Sequence, residues 1–290
     1  MKSRIKRTKT CDEKGGSYMC KVYAICNQKG GCSKTSVTVN LGIGLAAAGK
    51  RVAVIDADPQ GSLTISLGYP DPDELPVTLA TIMTNIIEEN DLPENYGMLH
   101  HQEGIELIPA NMELSGIEVS LANTMSREMI LKEYIEMIRD RFDYILIDCM
   151  PSLGVMTINA LVSADRVLIP VQSSYLPVKG LQMLLKTISV VKKRLNKQLQ
   201  IEGILITMVD YRTNYAKDIT AMLRESYGML YSQRCMFWIF TITSSLLWGS
   251  MIGVLLKGVT HDLVWCAFFG VVVGVISFVF HMAARLRYYG

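Results

Sequence analysis

The 290-residue sequence predicts a doubly wound α/β domain on a mostly parallel sheet, followed by two apolar helices long enough to cross a membrane. Three observations carry this. From 21 to 228, short runs of β-branched and apolar residues alternate with helix-length stretches. A glycine-rich run at 27–36 sits between the first such strand and the first helix. After 228 the composition turns abruptly apolar and uncharged.

Strands are expected at 21–26, 51–55, 105–108, 144–147, 167–169 and 204–207, and helices at 34–48, 78–88, 127–140, 178–195 and 214–227. Strands separated by helices of this length return in the same direction, which builds βαβ units. Parallel strands covered on both faces read as continuous apolar runs, as Tyr144-Ile145-Leu146-Ile147 does.

Residues 1–19 form a separate extension. Lys2, Arg4, Lys6, Arg7, Lys9 and Lys14 outweigh Asp12 and Glu13, no apolar period is visible, and disorder is expected. Met19 offers a second sensible start. The net charge of +2 thus hides a slightly acidic remainder, not the footprint of a nucleic-acid binder on charge alone. The seven cysteines include no Cys-x-x-Cys pair and none at metal-ligand spacing from a histidine, which argues against zinc and a disulfide framework and fits a reducing cytosol. The N-terminus has no apolar signal-peptide core.

The end of the chain, 229–290, is expected to form a two-helix transmembrane hairpin. Residues 235–256 and 264–280 carry no charge, and each approaches the roughly 20 residues that span a bilayer. Arg224 and Arg234 precede the first span, Arg285 and Arg287 follow the second, and the link holds only Lys257 as a Lys or Arg. That bias puts both ends, and the α/β domain, on the cytoplasmic side of the cell membrane.

The run Asn27-Gln28-Lys29-Gly30-Gly31-Cys32-Ser33-Lys34-Thr35-Ser36 ends a strand and opens a helix, the setting in which a glycine-rich loop cradles phosphates. Gly30 and Gly31 let backbone N–H groups crowd anionic oxygens. Lys34 is expected on the β- and γ-phosphates of ATP, and the Thr35 hydroxyl on Mg²⁺. Lys29, Cys32, Ser33 and Ser36 complete the nucleotide-binding set. Ser33 stands where a plain P-loop has glycine. Asp56-Ala57-Asp58-Pro59-Gln60-Gly61 closes the second strand. Asp58 is the candidate to orient or activate the attacking water, and Asp56 to help hold the magnesium shell. Tyr144 to Ile147 followed by Asp148 makes a Walker B strand, with Asp148 on Mg²⁺ through water.

Together these runs resemble the ParA/Soj branch of the deviant Walker A ATPases over about 20–228. The resemblance rests on Lys29-Gly30-Gly31-x-x-Lys34-Thr35, Asp56-x-Asp58-Pro59-Gln60-Gly61 and Asp148-Cys149-x-Pro151-Ser152-Leu153. Leu107 to Asn111, Ile169-Pro170-Val171-Gln172 and Thr207 to Asn214 add to it. It implies a P-loop NTPase fold and Mg-ATP-dependent dimerisation with slow ATP hydrolysis in plasmid or chromosome partition. The implied partners are a second copy, a ParB-like centromere-binding protein and non-specific DNA. It also makes Lys29 the signature lysine, which reaches across the homodimer to the partner's nucleotide.

The sequence departs from that pattern at Met150, where proline is usual, and after 228, where the family's C-terminal strands, helices and basic DNA surface give way to the apolar tail. Weakened ATP turnover and DNA binding follow. Two alternatives stay open. One is a bacterial tyrosine-kinase-like membrane protein using Tyr288 or Tyr289. The other is an inactive fragment joined to an unrelated small membrane protein at Met229. Cys32 and Cys149 read as small-residue packing beside the nucleotide.

Overall fold

The computed structural model describes residues 20–121, 124–172 and 177–208. The strands are β1 (Lys21–Ile25), β2 (Val52–Ala57), β3 (Leu99–His101), β4 (Ile105–Ile108), β5 (Tyr144–Cys149), β6 (Arg166–Gln172) and β7 (Gln200–Thr207). The helices are α1 (Lys34–Ala47), α2 (Ser62–Ser66), α3 (Leu79–Ile87), α4 (Leu114–Leu121), α5 (Ile130–Ile138), α6 (Val155–Ser163) and α7 (Pro177–Arg194). The strands lie in the order β3-β4-β2-β5-β1-β6-β7, all parallel except β3, which runs antiparallel to β4.

The chain winds outward from β1 through β2 to β4, returns to insert β5 between β2 and β1, and then winds outward the other way through β6 to β7. Doubly wound sheets bind ligands where the winding reverses, outside the carboxyl ends of the strands. Here that is the cleft above β1, β2 and β5. The two sides of the sheet sort by alternation. Val52, Val54, Ile105, Leu107 and Leu146 pack with Val37 of α1 and Leu63 of α2 on one side. Ala53, Ile55, Ile145 and Ile147 pack with residues of α3, α4, α5, α6 and α7 on the other. The helix α1 lies close to the sheet because Gly42 lets it: a Cβ there would sit 3.0 Å from Val54 Cγ1. Among the described residues, only α1 and α2 contribute helices to that side, and Tyr23, Tyr144 and Leu168 stay half-buried there.

The parallel α/β fold expected from the sequence is the one observed, and four elements escaped the pattern. β3 is three residues long, Leu-His-His, too short and polar to register as an apolar run. α6 is almost entirely buried, so its composition shows no amphipathic stripe. α2 and α4 are only 5 and 8 residues long. The helix expected at 127–140 is confined to Ile130–Ile138, behind a left-handed Ser126. The expected helix at 214–227, the hairpin spans 235–256 and 264–280 and the extension 1–19 lie outside the described residues. Among the described residues, no helix is long and apolar enough to cross a membrane.

Asn196, just past α7, ties the second half together. Its Nδ2 donates to the carbonyls of Leu161, Val162 and Ala164 at 3.2, 3.1 and 2.7 Å, closing the end of α6 onto the end of α7. Asn196→Ala strands these carbonyls and is expected to cost about 2 kcal/mol. Urea unfolding reads this as a lower midpoint at unchanged slope; a wild-type midpoint would show that the clasp carries no weight.

Candidate nucleotide-binding site

The loop between β1 and α1 is held from both sides. Asn27 Nδ2 donates to Pro170 O of β6 at 2.6 Å, and Asn27 Oδ1 accepts the N–H of Lys29 at 3.0 Å. Further along, the carbonyl of Cys32 accepts Thr207 Oγ1 of β7 at 3.2 Å. The loop is therefore pinned to the two strands on the far side of β1 before the helix begins. Gly31 is left-handed, with φ 68°, and a Cβ on Gly30 or Gly31 would meet nothing within 4 Å. At Gly30, whose φ is not left-handed, the missing side chain relieves no crowding inside the chain. It leaves room for something outside it, as a loop that admits phosphate oxygens to its N–H groups requires.

Helix α1 starts with no acidic residue in its first turn and no side-chain cap. Its leading N–H groups and dipole are thus available to an anion. Lys34, the first residue of the helix, is buried, and its Nζ folds back to the carbonyl of Lys29 at 3.3 Å. Thr35 Oγ1 donates to Asp148 Oδ2 at 2.7 Å, and Thr38 Oγ1 lies 3.4 Å from Asp148 Oδ1. Asp148 sits beside Asp56 in the β5–β2 register. Burial pushes the Asp148 carboxyl up to about 7, a rise that the Thr35 hydrogen bond and Lys34 oppose and that Asp56 and Asp58 reinforce. Burial likewise pushes Asp56 up to about 6, against its bonds from Thr64. A hydroxyl and a carboxylate, both hard oxygen donors, converge at a site that disfavours uncompensated negative charge. That donor set fits Mg²⁺.

The two aspartates of the second motif divide in role. Asp56 is fully enclosed: its Oδ2 accepts Thr64 N at 2.9 Å and Thr64 Oγ1 at 2.8 Å, and its Oδ1 accepts the N–H of Asp58 at 3.2 Å. Thr64 Oγ1 also accepts Ala110 N at 3.1 Å. Asp56, expected in the magnesium shell, is thus committed to protein donors that hold α2, the end of β4 and the backbone of Asp58. Asp58 itself is half-buried at the mouth, with Oδ1 accepting Gln60 N at 3.0 Å. Gly61 is left-handed at φ 61°, and a Cβ there would press on Ala110 O at 3.1 Å, so glycine is required for this turn.

Lys34, Thr35, Asp58 and Asp148 therefore converge. Lys29 borders them, its Nζ 3.4 Å from Gln172 Oε1 at the end of β6. Cys32 contributes backbone only: its buried thiol faces the carbonyl of Lys29 at 3.1 Å, and burial raises its pKa. The Cys149 thiol is raised well above its ordinary value, first by its hydrogen bond with Cys26 and then by burial. Both cysteines behave as packing residues. Ser36 is exposed, and its carbonyl accepts Asn40 Nδ2. Sequence reasoning assigned no role to Asn27, Thr38, Thr64 or Gln172. Thr38 lies one helical turn after Lys34, a spacing that could have found it; Thr64 meets Asp56 only through the fold.

The AAA domain family matches residues 20–201. The sporulation initiation inhibitor protein Soj of Bacillus subtilis is 45% identical over 209 residues, covering 72% of this chain and 81% of Soj. The chromosome partitioning protein ParA of Myxococcus xanthus is 39% identical over 214 residues, 73% of each chain. The crystal structure of cobyrinic acid a,c-diamide synthase from Mycobacterium smegmatis with bound ADP and magnesium superposes with a TM-score of 0.68. It is 38% identical, over 72% of this chain and 83% of that one.

Ser33 carries a local cost. It holds the left-handed position at φ 67° immediately before Lys34. A side chain there costs about 1–2 kcal/mol, and a glycine would give back about 0.5–1 kcal/mol in chain entropy. Ser33→Gly is expected to raise stability by up to about 1 kcal/mol and leave nucleotide affinity at least as strong, while the β-branched Ser33→Val lowers both. Melting temperatures and nucleotide titrations of the two variants check this; Gly and Val variants that melt alike would show that the loop does not hold this conformation.

Proposed function

Because the chain belongs to the ParA/Soj family of partition ATPases, we propose that it is a magnesium-dependent ATPase whose ATP-bound form dimerises in the service of chromosome or plasmid partition. The observation that carries this reading is the contact of Thr35 with Asp148, at the uncapped start of a helix that begins with a buried lysine. ATP and Mg²⁺ are the ligands that such a site fits.

Each residue has a distinct task. The N–H groups of 30–35 and the start of α1 receive the phosphate oxygens. Lys34 supplies the cation inside the cradle, in surroundings where a charge is poorly screened by water. Thr35 and Asp148 would hold Mg²⁺, Asp148 through water, and the ion would neutralise charge on the transferring phosphoryl group. Asp58 orients or activates the attacking water, with Asp56 fixing its backbone through the bond at 3.2 Å. Lys29 serves the nucleotide of a second copy. A ParB-like protein and a membrane, met through 235–256 and 264–280, are the further proposed partners. DNA binding is expected to be weak, because the chain beyond its first 18 residues is slightly acidic.

Lys34→Ala is expected to weaken ATP binding at least about 100-fold, since hydrogen bonds to charged phosphate oxygens are lost. Asp58→Ala is expected to keep ATP-dependent dimers while phosphate release falls about 100-fold or more. Equilibrium binding and a phosphate-release assay separate the two effects; an Asp58→Ala protein that turns over normally removes that residue from catalysis.

The membrane reading has its own test. Expressed in bacteria, the full chain is expected to sediment with membranes and to resist extraction by alkaline carbonate, as a protein with two uncharged spans does. Release into the soluble fraction by carbonate would rule out spanning helices.

A further inference from the structure

Charge is sorted along this chain, and the fold carries the sorting onto the two edges of the sheet. Residues 52–126 contain 13 Asp and Glu and no Lys or Arg. Residues 166–201 contain no Asp or Glu and seven Lys and Arg. The first stretch supplies β2, β3 and β4; the second supplies β6, α7 and the start of β7. In the strand order these fall at opposite ends of the sheet. On the acidic side Glu88, Glu89, Asp91 and Glu94 lie exposed between α3 and β3.

On the basic side, α7 has two contrasting faces. Leu181, Leu184, Ile188 and Val191 are buried in one cluster with Val167, Ile169 and Val171 of β6 and Ile204 of β7. Half a turn round, Met183, Lys186, Val190 and Lys193 repeat the same helical spacing and are all exposed, with Arg194 and Lys197 beside them. Among the described residues, none of these four cations belongs to an ion pair. Cations in a last turn suit the helix dipole. That accounts for Lys192, Lys193 and Arg194, but not for Lys186 in mid-helix or for the Met and Val set between the lysines. β6 and β7 are parallel, so α7 returns the chain to the amino ends of the strands. Its basic end therefore lies away from the nucleotide cleft.

We propose that this exposed face of α7 is a docking surface for an anionic phospholipid membrane, on which the ATPase domain rests with its β6–β7 edge toward the lipid and its acidic edge away. The proposal rests on the reading that 235–256 and 264–280 bring the domain to a membrane. Residues 209–234 join the described domain to the first span. At up to about 3.5 Å per residue, that tether is too long to choose a face by itself. Charge chooses it: an anionic leaflet attracts α7 and repels the side built by 52–126, and so turns the domain. The interleaved Met183 and Val190 favour lipid over nucleic acid. A membrane interface admits apolar side chains among its headgroups, whereas a phosphate backbone offers them nothing.

The test uses the full chain with vesicles of phosphatidylcholine, either alone or mixed with phosphatidylglycerol. Brief acetylation by an N-hydroxysuccinimide ester, read by mass spectrometry, reports the exposure of each lysine. Lys186, Lys193 and Lys197 are expected to react about fivefold more slowly on the anionic vesicles, the factor that one basic residue at such a surface is worth. Lys132, at the start of α5, should change by less than about twofold, and about 1 M salt should erase the difference by screening. In a Lys193→Glu/Lys197→Glu protein, Lys186 should lose its protection while ATP hydrolysis stays at the wild-type rate. Equal acetylation of α7 on the two vesicles overturns the proposal. So does stronger protection by duplex DNA on neutral vesicles than by phosphatidylglycerol, because the face then serves nucleic acid. If carbonate releases the chain, the spanning reading fails by itself. The released chain mixed with the two vesicle types still decides the docking surface: protection on anionic vesicles alone keeps it, and its absence removes it.

Discussion

The hydrogen bond from Thr35 to Asp148 joins the first turn of α1 to the end of β5 across 113 residues of sequence, and the site is organised around it. It requires β5 to lie beside β1, which happens only because the chain leaves β1 for β2 and β4 and then comes back. That return puts the sheet's reversal, the glycine loop and the Walker B carboxylate at one edge. A simple meander of the same strands would separate them. The topology is thus part of the chemistry: it decides which residues, distant in sequence, share a water-poor cleft.

Burial makes that cleft selective. Asp148 and Asp56 lie side by side and nearly free of solvent, so neither carries its charge easily. Lys34 is the buried cation among them, and the Thr35 bond offsets only part of the desolvation. An arrangement with two raised carboxylates and an uncapped helix start is poised to bind anion and cation together, since each relieves the field that resists the other. The loop contributes little charge of its own. It contributes backbone N–H groups and room, and room depends on the absence of side chains at Gly30 and Gly31.

Much of this was legible in the sequence because the relevant signals are local. Lys29 to Ser36 names the loop by its residues, and the β5 run names the strand by its unbroken apolar character. Four of the six expected strands fall within two residues of the observed ends; 167–169 and 204–207 fell short because β6 runs on to Gln172 and β7 begins as early as Gln200. What escaped was non-local or lacked a period. α6 is buried on nearly every side and so shows no stripe, and β3 is three residues paired only by proximity to β4. The contacts of Asn27 with Pro170 and of Lys29 with Gln172 are visible only once the β1–β6 register is known, although Ile169 to Gln172 already stood out as a run. The glycine-to-serine change at 33 could be read as a departure, but not as a left-handed residue at φ 67°.

The pair of adjacent aspartates shows how structure assigns roles that composition leaves equal. Asp56 receives two backbone N–H groups and a hydroxyl, and its donors belong to segments whose positions it fixes. Backbone donors cannot rotate away, so moving this carboxylate would unseat α2 and Asp58 together. Asp148 is met only by the hydroxyls of Thr35 and Thr38 among its described hydrogen bonds. A hydroxyl is both donor and acceptor and turns about its C–O bond at little cost. Were Mg²⁺ bound there, the Thr35 oxygen that now donates to Asp148 would have lone pairs to offer it, and Asp148 would be released to help hold it. Of two neighbouring acids on neighbouring strands, one is held mainly by fixed backbone donors, and the other only by hydroxyls whose hydrogen bonds can be rearranged at little cost.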